Sequence, residues 1–140
     1  MNNENFPGVK FSELNTVDES LLKRVVVVSE YKGQWVYCKA KGKDTWEIPG
    51  GKIEPDEKPL EAAARELFEE TGAINTKIKP ICIYSIFQPA LLCYANINEF
   101  ENLPQSEIEK IGFFDDEPKN LTYPEIHPKL FSKVLEEMGK

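Results

Sequence analysis

The sequence predicts a mixed α/β fold, α+β or α/β in class, in which a mixed central sheet packs against two helices. Short segments rich in β-branched and aromatic residues recur along the chain, which is typical of strands. Two longer segments carry apolar residues at helical spacing. The 140 residues suffice for one hydrophobic core and are too few for two, so we expect a single domain over residues 1–140.

Turn-forming residues separate the predicted strands. We expect strands over residues 24–29, 35–40, 46–48, 80–87, 90–97 and 110–114. A glycine-containing turn at 31–34 should join the first two strands in a hairpin. Pro49-Gly50-Gly51 should end the third strand. Residues 1 to about 20 and residues 98–106 are predicted to be irregular loops.

Two segments predict helices. Residues 59–71 begin with Pro59, which suits a first helical turn, and stop before Gly72, which suits the position just past a helix end. The residues expected to face the core from this helix are Leu60, Ala63, Ala64, Leu67 and Thr71. A second helix is predicted over residues 128–138. Its core-packing stripe is expected to be Leu130, Phe131, Val134, Leu135 and Met138.

Composition and charge exclude several classes of function. The net charge of −7, with no cluster of basic residues, argues against a nucleic-acid partner. The longest apolar run, at residues 25–28, is far too short to span a membrane, and no secretory signal is visible at the N-terminus. We therefore expect a cytoplasmic protein without a membrane partner.

The three cysteines do not indicate a metal centre. Cys38, Cys82 and Cys93 are odd in number and match no zinc-binding spacing. Together with the single histidine they cannot supply a zinc module, so we expect buried, reduced thiols.

Three glutamates should share one face of the first helix. Glu66, Glu69 and Glu70 are spaced so that their carboxylates are neighbours, and they lie near the C-terminal end, where the helix dipole disfavours negative charge. A hard divalent cation such as Mg²⁺ would turn this repulsion into affinity. The alternative is a solvated acidic face with Glu61–Arg65 and Arg65–Glu69 ion pairs.

The residues around this helix follow a longer pattern, Gly-x5-Glu-x7-Arg-Glu-U-x-Glu-Glu-x-Gly-U, in which U is a bulky aliphatic. The chain supplies its fixed positions with Gly51, Glu57, Arg65, Glu66, Leu67, Glu69, Glu70 and Gly72. Apart from the aliphatic Leu67, these residues fill the seven invariant positions of the pattern, and a chance match of all seven is on the order of one in 10⁸ per window. The segment 51–73 thus resembles the Nudix box, although Ala73 is smaller than the final position prefers.

The resemblance implies a fold and an activity. Nudix proteins have an α/β/α sandwich with a mixed central sheet, in agreement with the prediction made from periodicity. The family implies metal-dependent hydrolysis of a phosphoanhydride bond in a nucleoside diphosphate derivative, with Mg²⁺ or Mn²⁺ as cofactor. The short chain is similar to the MutT-like housecleaning branch of the family.

The resemblance also implies roles for individual residues. Metal ligands would be Glu66, Glu69, Glu70 and the Gly50 carbonyl. Gly51, Glu57 and Gly72 would be structural, with Glu57 tied to Arg65 by an ion pair, and Arg65 belongs to the catalytic box. Glu66 is the first candidate for the catalytic base. Many relatives recruit a further acid from a later loop, where Glu107 and Glu109 lie; the alternative is that both are surface charges.

An apolar pocket is expected to hold the base of the substrate. Its candidate residues are Trp46, Ile48, Phe87 and Tyr123, any of which could instead belong to the core. His127 lies either near the mouth of this pocket or at an exposed helix start.

Several functions fit the resemblance. The leading substrate is a small-molecule nucleotide, a nucleoside triphosphate such as the oxidised 8-oxo-dGTP, which would yield NMP and pyrophosphate. ADP-ribose or a dinucleotide is the alternative substrate. A non-catalytic nucleotide sensor is disfavoured because every box carboxylate is present, and an isomerase is less favoured still. The sequence leaves open the number of metal ions and whether the protein is a monomer or a homodimer.

Overall fold

One large mixed sheet organises the chain in the computed structural model, which describes residues 7–140. Its path runs β1-β7-β8-β2-β3-β10, with β5 added to β2 and β4 added to β3, while β6 and β9 form a separate two-stranded sheet. The strands are β1 (Lys10–Ser12), β2 (Arg24–Tyr31), β3 (Gln34–Ala40), β4 (Trp46–Glu47), β5 (Gly50–Lys52), β6 (Ala73–Ile74), β7 (Lys77–Ser85), β8 (Pro89–Asn96), β9 (Glu99–Phe100) and β10 (Ile108–Phe114). The helices are α1 (Pro59–Thr71) and α2 (His127–Met138), and Glu19–Leu21 forms a short 3-10 turn.

The centre of the sheet is the valine-rich strand β2. It pairs in parallel with β8 and antiparallel with β3 and β5. Because side chains alternate along a strand, Val25 and Val27 join the core cluster on the α1 side, and Val26 and Val28 join the cluster on the α2 side. The two helices therefore cover opposite faces of the sheet, which confirms the predicted α/β/α sandwich.

Most predicted elements are present, with altered boundaries. The β2–β3 hairpin turns at Lys32 and Gly33, both of which have positive φ, as a tight two-residue turn requires. Helix α1 has the predicted bounds, and α2 begins one residue earlier than predicted, at His127. Its predicted stripe packs against the sheet, with Leu135 and Met138 only partly buried.

Several predictions about strands and about the buried face of α1 were wrong or incomplete. Strand β4 ends before Pro49, as predicted, but a further strand was not predicted, since β5 begins at Gly50 and pairs with β2. The loop predicted over residues 1 to about 20, of which 1–6 lie outside the described residues, contains β1, and the loop predicted over 98–106 contains β9. Both strands are too short to show a recognisable periodic pattern. On α1, Leu60 is 43% exposed and Ala64 is exposed, whereas Ala62 is fully buried.

Helix α1 ends at Gly72, which has a φ of 81° and makes a close backbone approach. Its carbonyl accepts a hydrogen bond from the Glu101 backbone N–H at 2.8 Å, and a Cβ atom at this position would lie 2.6 Å from the Glu101 carbonyl oxygen. Both features favour glycine. The three cysteines are free and buried, as predicted, and no helix among the described residues is long and apolar enough to cross a membrane.

Candidate active site

The candidate site forms where β5 passes beside α1. A Cβ atom at Gly51 would collide with the carboxylate of Glu66, and one at Gly50 would lie 2.5 Å from the Val25 carbonyl oxygen. The two glycines therefore let the strand approach both the helix and β2. The Gly50 N–H donates a hydrogen bond to Glu70 Oε1 at 2.8 Å, which joins β5 to the helix.

Arg65 is the centre of the charged network in the box. Its Nε and Nη2 donate to the two carboxylate oxygens of Glu57 at 2.7 and 2.9 Å, a bidentate pair. Nη2 also donates to the Lys52 carbonyl at 2.9 Å. The guanidinium thus fixes the loop before α1 against both the helix and β5, which is the geometry the resemblance implied for the Glu57–Arg65 pair.

The same guanidinium reaches two of the three glutamates predicted to bind metal. Nη1 donates to Glu66 at 2.8 Å and to Glu69 at 3.2 Å. The Glu66 side chain is 13% exposed and that of Glu69 is 45% exposed, so Glu66 lies deeper. Of the alternative surface pairs, Arg65–Glu69 forms, whereas Glu61 accepts from the Lys58 backbone N–H.

The pKa values of the box glutamates Glu70 and Glu66 are raised by their surroundings. Burial, together with the neighbouring carboxylates Glu66 and Glu47, raises the pKa of Glu70 to about 7 despite the hydrogen bond from Gly50. Burial also raises the pKa of Glu66, while Arg65 acts in the opposite direction. Carboxylates that are hard to ionise when buried together are the groups that a divalent cation would stabilise.

The carboxylate chemistry of these residues suits a divalent metal ion. Within residues 7–140, no three acidic, histidine or cysteine side chains converge into a preformed cage, because Arg65 engages Glu66 and Glu69. However, Glu47 Oε2 is buried and has no hydrogen-bond partner among the described residues, and its charge acts on Glu70. An unpaired buried carboxylate oxygen beside other glutamates suits a hard cation with oxygen ligands.

A cleft of about 510 Å³ adjoins the box through Gly50. Of the predicted pocket residues, Ile48, Phe87 and Tyr123 line it. The structure does not bring Trp46 into the cleft. Its ring packs edge-on against Phe114 instead, at 5.0 Å between centroids.

His127 lines this cleft as a buried residue, not as an exposed helix start. It is 6% exposed, and its Nδ1 accepts a hydrogen bond from the Ile48 backbone N–H at 3.1 Å. Burial lowers the pKa of His127 to about 4, so the ring is neutral at physiological pH. The Tyr123 ring lies beside it, at 5.1 Å between centroids.

Two cations in the cleft were missed at the sequence level. Lys23 and Arg24 line it, and the charge of Arg24 lowers the pKa of Glu66. The one feature of the sequence that could have indicated these two cations is their position at the start of the central strand β2. Glu107 and Glu109 are exposed, and within the described part of the chain neither side chain forms a hydrogen bond or ion pair with the box.

The fold and the site together define a class: α/β/α proteins that carry a glutamate-rich loop–helix–loop beside a nucleotide-sized cleft. The NUDIX domain model matches residues 19–127 of the chain. The protein therefore belongs to the Nudix family and is a Nudix hydrolase, a family that generally uses divalent metal ions.

Individual relatives agree with this assignment. YtkD of Bacillus subtilis (strain 168), a candidate 8-oxo-dGTP diphosphatase, is 31% identical over 121 residues, which cover 82% of this chain and 73% of YtkD. The RNA pyrophosphohydrolase of Bartonella tribocorum is 58% identical over 33 residues, 24% of this chain and 19% of that protein. A solved structure of the Bacillus subtilis pyrophosphohydrolase BsRppH is similar with a TM-score of 0.76 and 26% identity, covering 91% of this chain and 90% of that one.

Proposed function

We propose that this Nudix hydrolase cleaves a purine nucleoside 5′-triphosphate between its α and β phosphates, with oxidised purine deoxynucleotides such as 8-oxo-dGTP among its substrates. The cleft beside the box carries this proposal. Its volume of about 510 Å³ lies within the range of small-molecule sites, and it combines aromatic rings with two cations. The similarity to YtkD supports the same class of substrate.

Apolar and charged residues of the cleft suit the two parts of a nucleotide. Phe87, Tyr123 and Ile48 offer surfaces for a purine ring. Lys23 and Arg24 offer positive charge for phosphates, which an acidic protein of net charge −7 must supply locally. A triphosphate that extends from the purine past Gly50 would reach the box.

Glu66, Glu69, Glu70 and the Gly50 carbonyl are the residues that would hold Mg²⁺ or Mn²⁺. The bound cation would supply neutralisation of phosphate charge and activation of water. For Glu66 and Glu69 to bind it, their carboxylates must share or release Arg65, which retains the bidentate pair with Glu57.

In the reaction, a water oxygen forms a bond to the α phosphorus and the anhydride bond to the bridging oxygen breaks, so that pyrophosphate leaves and NMP remains. Glu66 is the proposed acceptor of the water proton. Its raised pKa makes it a better base than an ordinary surface carboxylate, and Gly51 leaves room beside it. Arg65 holds its orientation.

A second candidate substrate is the 5′-triphosphate end of an RNA. The match of the box region to RNA pyrophosphohydrolases and the similarity to BsRppH support it. Phe87 at the cleft is 80% exposed, so its ring is accessible to a second base. The same bond would be cleaved in both cases.

The test is a panel of substrates with Mg²⁺ or Mn²⁺: dGTP, 8-oxo-dGTP, dATP, 5′-triphosphorylated RNA, ADP-ribose and a dinucleoside polyphosphate. We expect pyrophosphate release from the triphosphates, lost in Glu66→Gln and Glu70→Gln. Faster turnover of RNA than of every free nucleotide would select the second candidate. Cleavage of ADP-ribose alone would overturn the proposal, as would tight nucleotide binding without turnover.

A further inference from the structure

His127 is a buried polar side chain in the cleft that the proposed hydrolysis does not use. It is 6% exposed and lies at the first position of α2. One ring nitrogen, Nδ1, accepts a hydrogen bond from the Ile48 N–H at 3.1 Å. For the other, Nε2, no hydrogen-bond partner is found among residues 7–140, and the residue lines the cleft.

The partner of Nδ1 fixes the tautomer of the ring. A backbone N–H can only donate, so Nδ1 must carry the lone pair, and in a neutral imidazole the proton then resides on Nε2. The ring is held neutral because burial disfavours its charged form and lowers its pKa to about 4. Nε2–H is consequently a hydrogen-bond donor with a fixed direction.

We propose that His127 is a base-recognition residue whose Nε2–H donates to a carbonyl oxygen of an oxopurine in this cleft. This inference rests on the proposed function. Guanine carries such an acceptor at its 6-position and 8-oxoguanine carries a second, whereas adenine has an amino group at the 6-position and no carbonyl. Nε2–H faces the open cleft, and a bound base that shields it from water without offering an acceptor would leave it unpaired, which disfavours that base.

The environment of the ring supports recognition of a flat base. Tyr123 packs beside His127 at 5.1 Å between centroids and also lines the cleft. Ile48, whose backbone orients the imidazole, lines the same cleft. Ile48 lies between β4 and β5, two residues before Gly50, so the segment that orients the hydrogen-bond donor on α2 leads directly into the box.

Two isosteric substitutions separate this role from a purely structural one. In His127→Asn, the amide oxygen can take the place of Nδ1 and keep the bond to Ile48, but nothing occupies the position of Nε2. In His127→Gln, the amide nitrogen can take the place of Nε2 and keep the donor, but the bond to Ile48 is lost. The first variant should lose base preference and keep thermal stability, and the second should do the reverse.

The experiment compares kcat/KM for dGTP, 8-oxo-dGTP, dATP and the 2-aminopurine deoxynucleoside triphosphate, which is guanine without its 6-oxo group. The preference of wild type for carbonyl-bearing bases should shrink roughly three- to tenfold in His127→Asn, the value of one neutral hydrogen bond. A loss confined to 8-oxo-dGTP would assign the 8-oxo group as the acceptor. An unchanged preference in His127→Asn would overturn the inference, as would parallel losses in both variants that follow their thermal stability.

Binding of monophosphates distinguishes failure of this inference from failure of the proposed function. Calorimetry with GMP, AMP and 2-aminopurine monophosphate requires no turnover. If wild type binds GMP over 2-aminopurine monophosphate and His127→Asn does not, recognition holds even where no triphosphate is cleaved. If triphosphates are cleaved while GMP and 2-aminopurine monophosphate bind equally to wild type, the hydrolase stands and the role of His127 is refuted.

Discussion

Helices α1 and α2 pack on opposite faces of the same sheet, yet they present different chemistry to it. Helix α2 covers its face with Leu130, Phe131 and Val134, which are nearly or fully buried. Helix α1 buries Ala63 and Leu67 and also holds two partly buried carboxylates beside β5, those of Glu66 and Glu70. An apolar face gains free energy on burial, whereas buried carboxylates cost it unless a cation compensates.

The difference separates stability from function. The face of α2 can be explained by packing alone. The face of α1 cannot, because stability would favour apolar residues where Glu66 and Glu70 stand. Natural proteins retain such costs at functional sites. We therefore expect α1 to contribute both packing and the chemistry of the box, and the apolar face of α2 to contribute packing alone.

The largest expected effect is on catalysis and belongs to α1. Glu66→Gln keeps an oxygen that can accept from Arg65 but removes the proposed base, so we expect kcat to fall by at least about a hundredfold. Steady-state pyrophosphate release measures it. Glu136→Gln, on the exposed side of α2, is the matched control and should leave kcat unchanged. Activity of Glu66→Gln close to that of wild type would remove Glu66 from the mechanism.

Side-chain packing on the two helices should contribute similarly to the free energy of unfolding. Leu67 on α1 and Leu130 on α2 are both fully buried, so Leu67→Ala and Leu130→Ala should each lower the free energy of unfolding by about 2–5 kcal/mol. Chemical denaturation measures both. If Leu67→Ala leaves the free energy of unfolding nearly unchanged, α1 contributes no packing of its own and this prediction is wrong. Among fully folded molecules, Leu130→Ala should retain most of its kcat.

The sequence predicted the box better than the cleft, for a physical reason. The box is local: Pro59 and Gly72 delimit α1, and the glutamate spacing alone places the carboxylates together. The prediction for its buried face was rotated, because it assigned Leu60 and Ala64 to the core and omitted Ala62. The true buried face is turned toward the carboxylates.

The cleft is assembled from distant segments, so no local pattern marks it. Lys23 and Arg24 come from the start of β2, Tyr84 comes from β7, and His127 comes from α2. Their meeting depends on the parallel β2–β8 pairing and on β5 pairing with β2, which were not predicted. Fold class and the clustering of the box carboxylates can thus be predicted from local spacing, whereas the residues that line the cleft depend on the topology.

A smaller effect concerns stability without metal. Burial raises the pKa of Glu70 to about 7, above the ordinary value of 4.5, so the folded protein keeps a proton that the unfolded chain releases between these pH values. Stability contributed by the protonated form is therefore fully present below pH 4.5 and lost as pH rises through 7. The side chain of Glu70→Gln cannot ionise, so stability is not lost as pH rises, and its amide oxygen can still accept the hydrogen bond from the Gly50 N–H.

In chelator at pH 8, the free energy of unfolding of Glu70→Gln should accordingly exceed that of wild type by on the order of 3 kcal/mol, with no gain at pH 4.5. Mg²⁺ should narrow the difference at pH 8 by stabilising wild type only. Denaturant titrations at both pH values measure it. Glu136→Gln on α2 should show no such pH dependence, and a Glu70→Gln protein that is no more stable at pH 8 would refute the buried-carboxylate cost.

The smallest effect on function is expected at Phe87, and Phe131 is the buried phenylalanine with which it is compared. Phe131 on α2 is 4% exposed and packs edge-on against Trp35 at 5.0 Å, so Phe131→Ala should cost about 3–5 kcal/mol of stability. Phe87 is 80% exposed at the cleft, so Phe87→Ala should change stability by no more than about 0.5 kcal/mol. If its ring stacks on the substrate base, KM should rise roughly three- to tenfold with kcat nearly constant, because stacking on a base is worth about 1 kcal/mol. An unchanged KM for every nucleotide would place Phe87 outside the binding site and leave Tyr123 and His127 as the residues that contact the base.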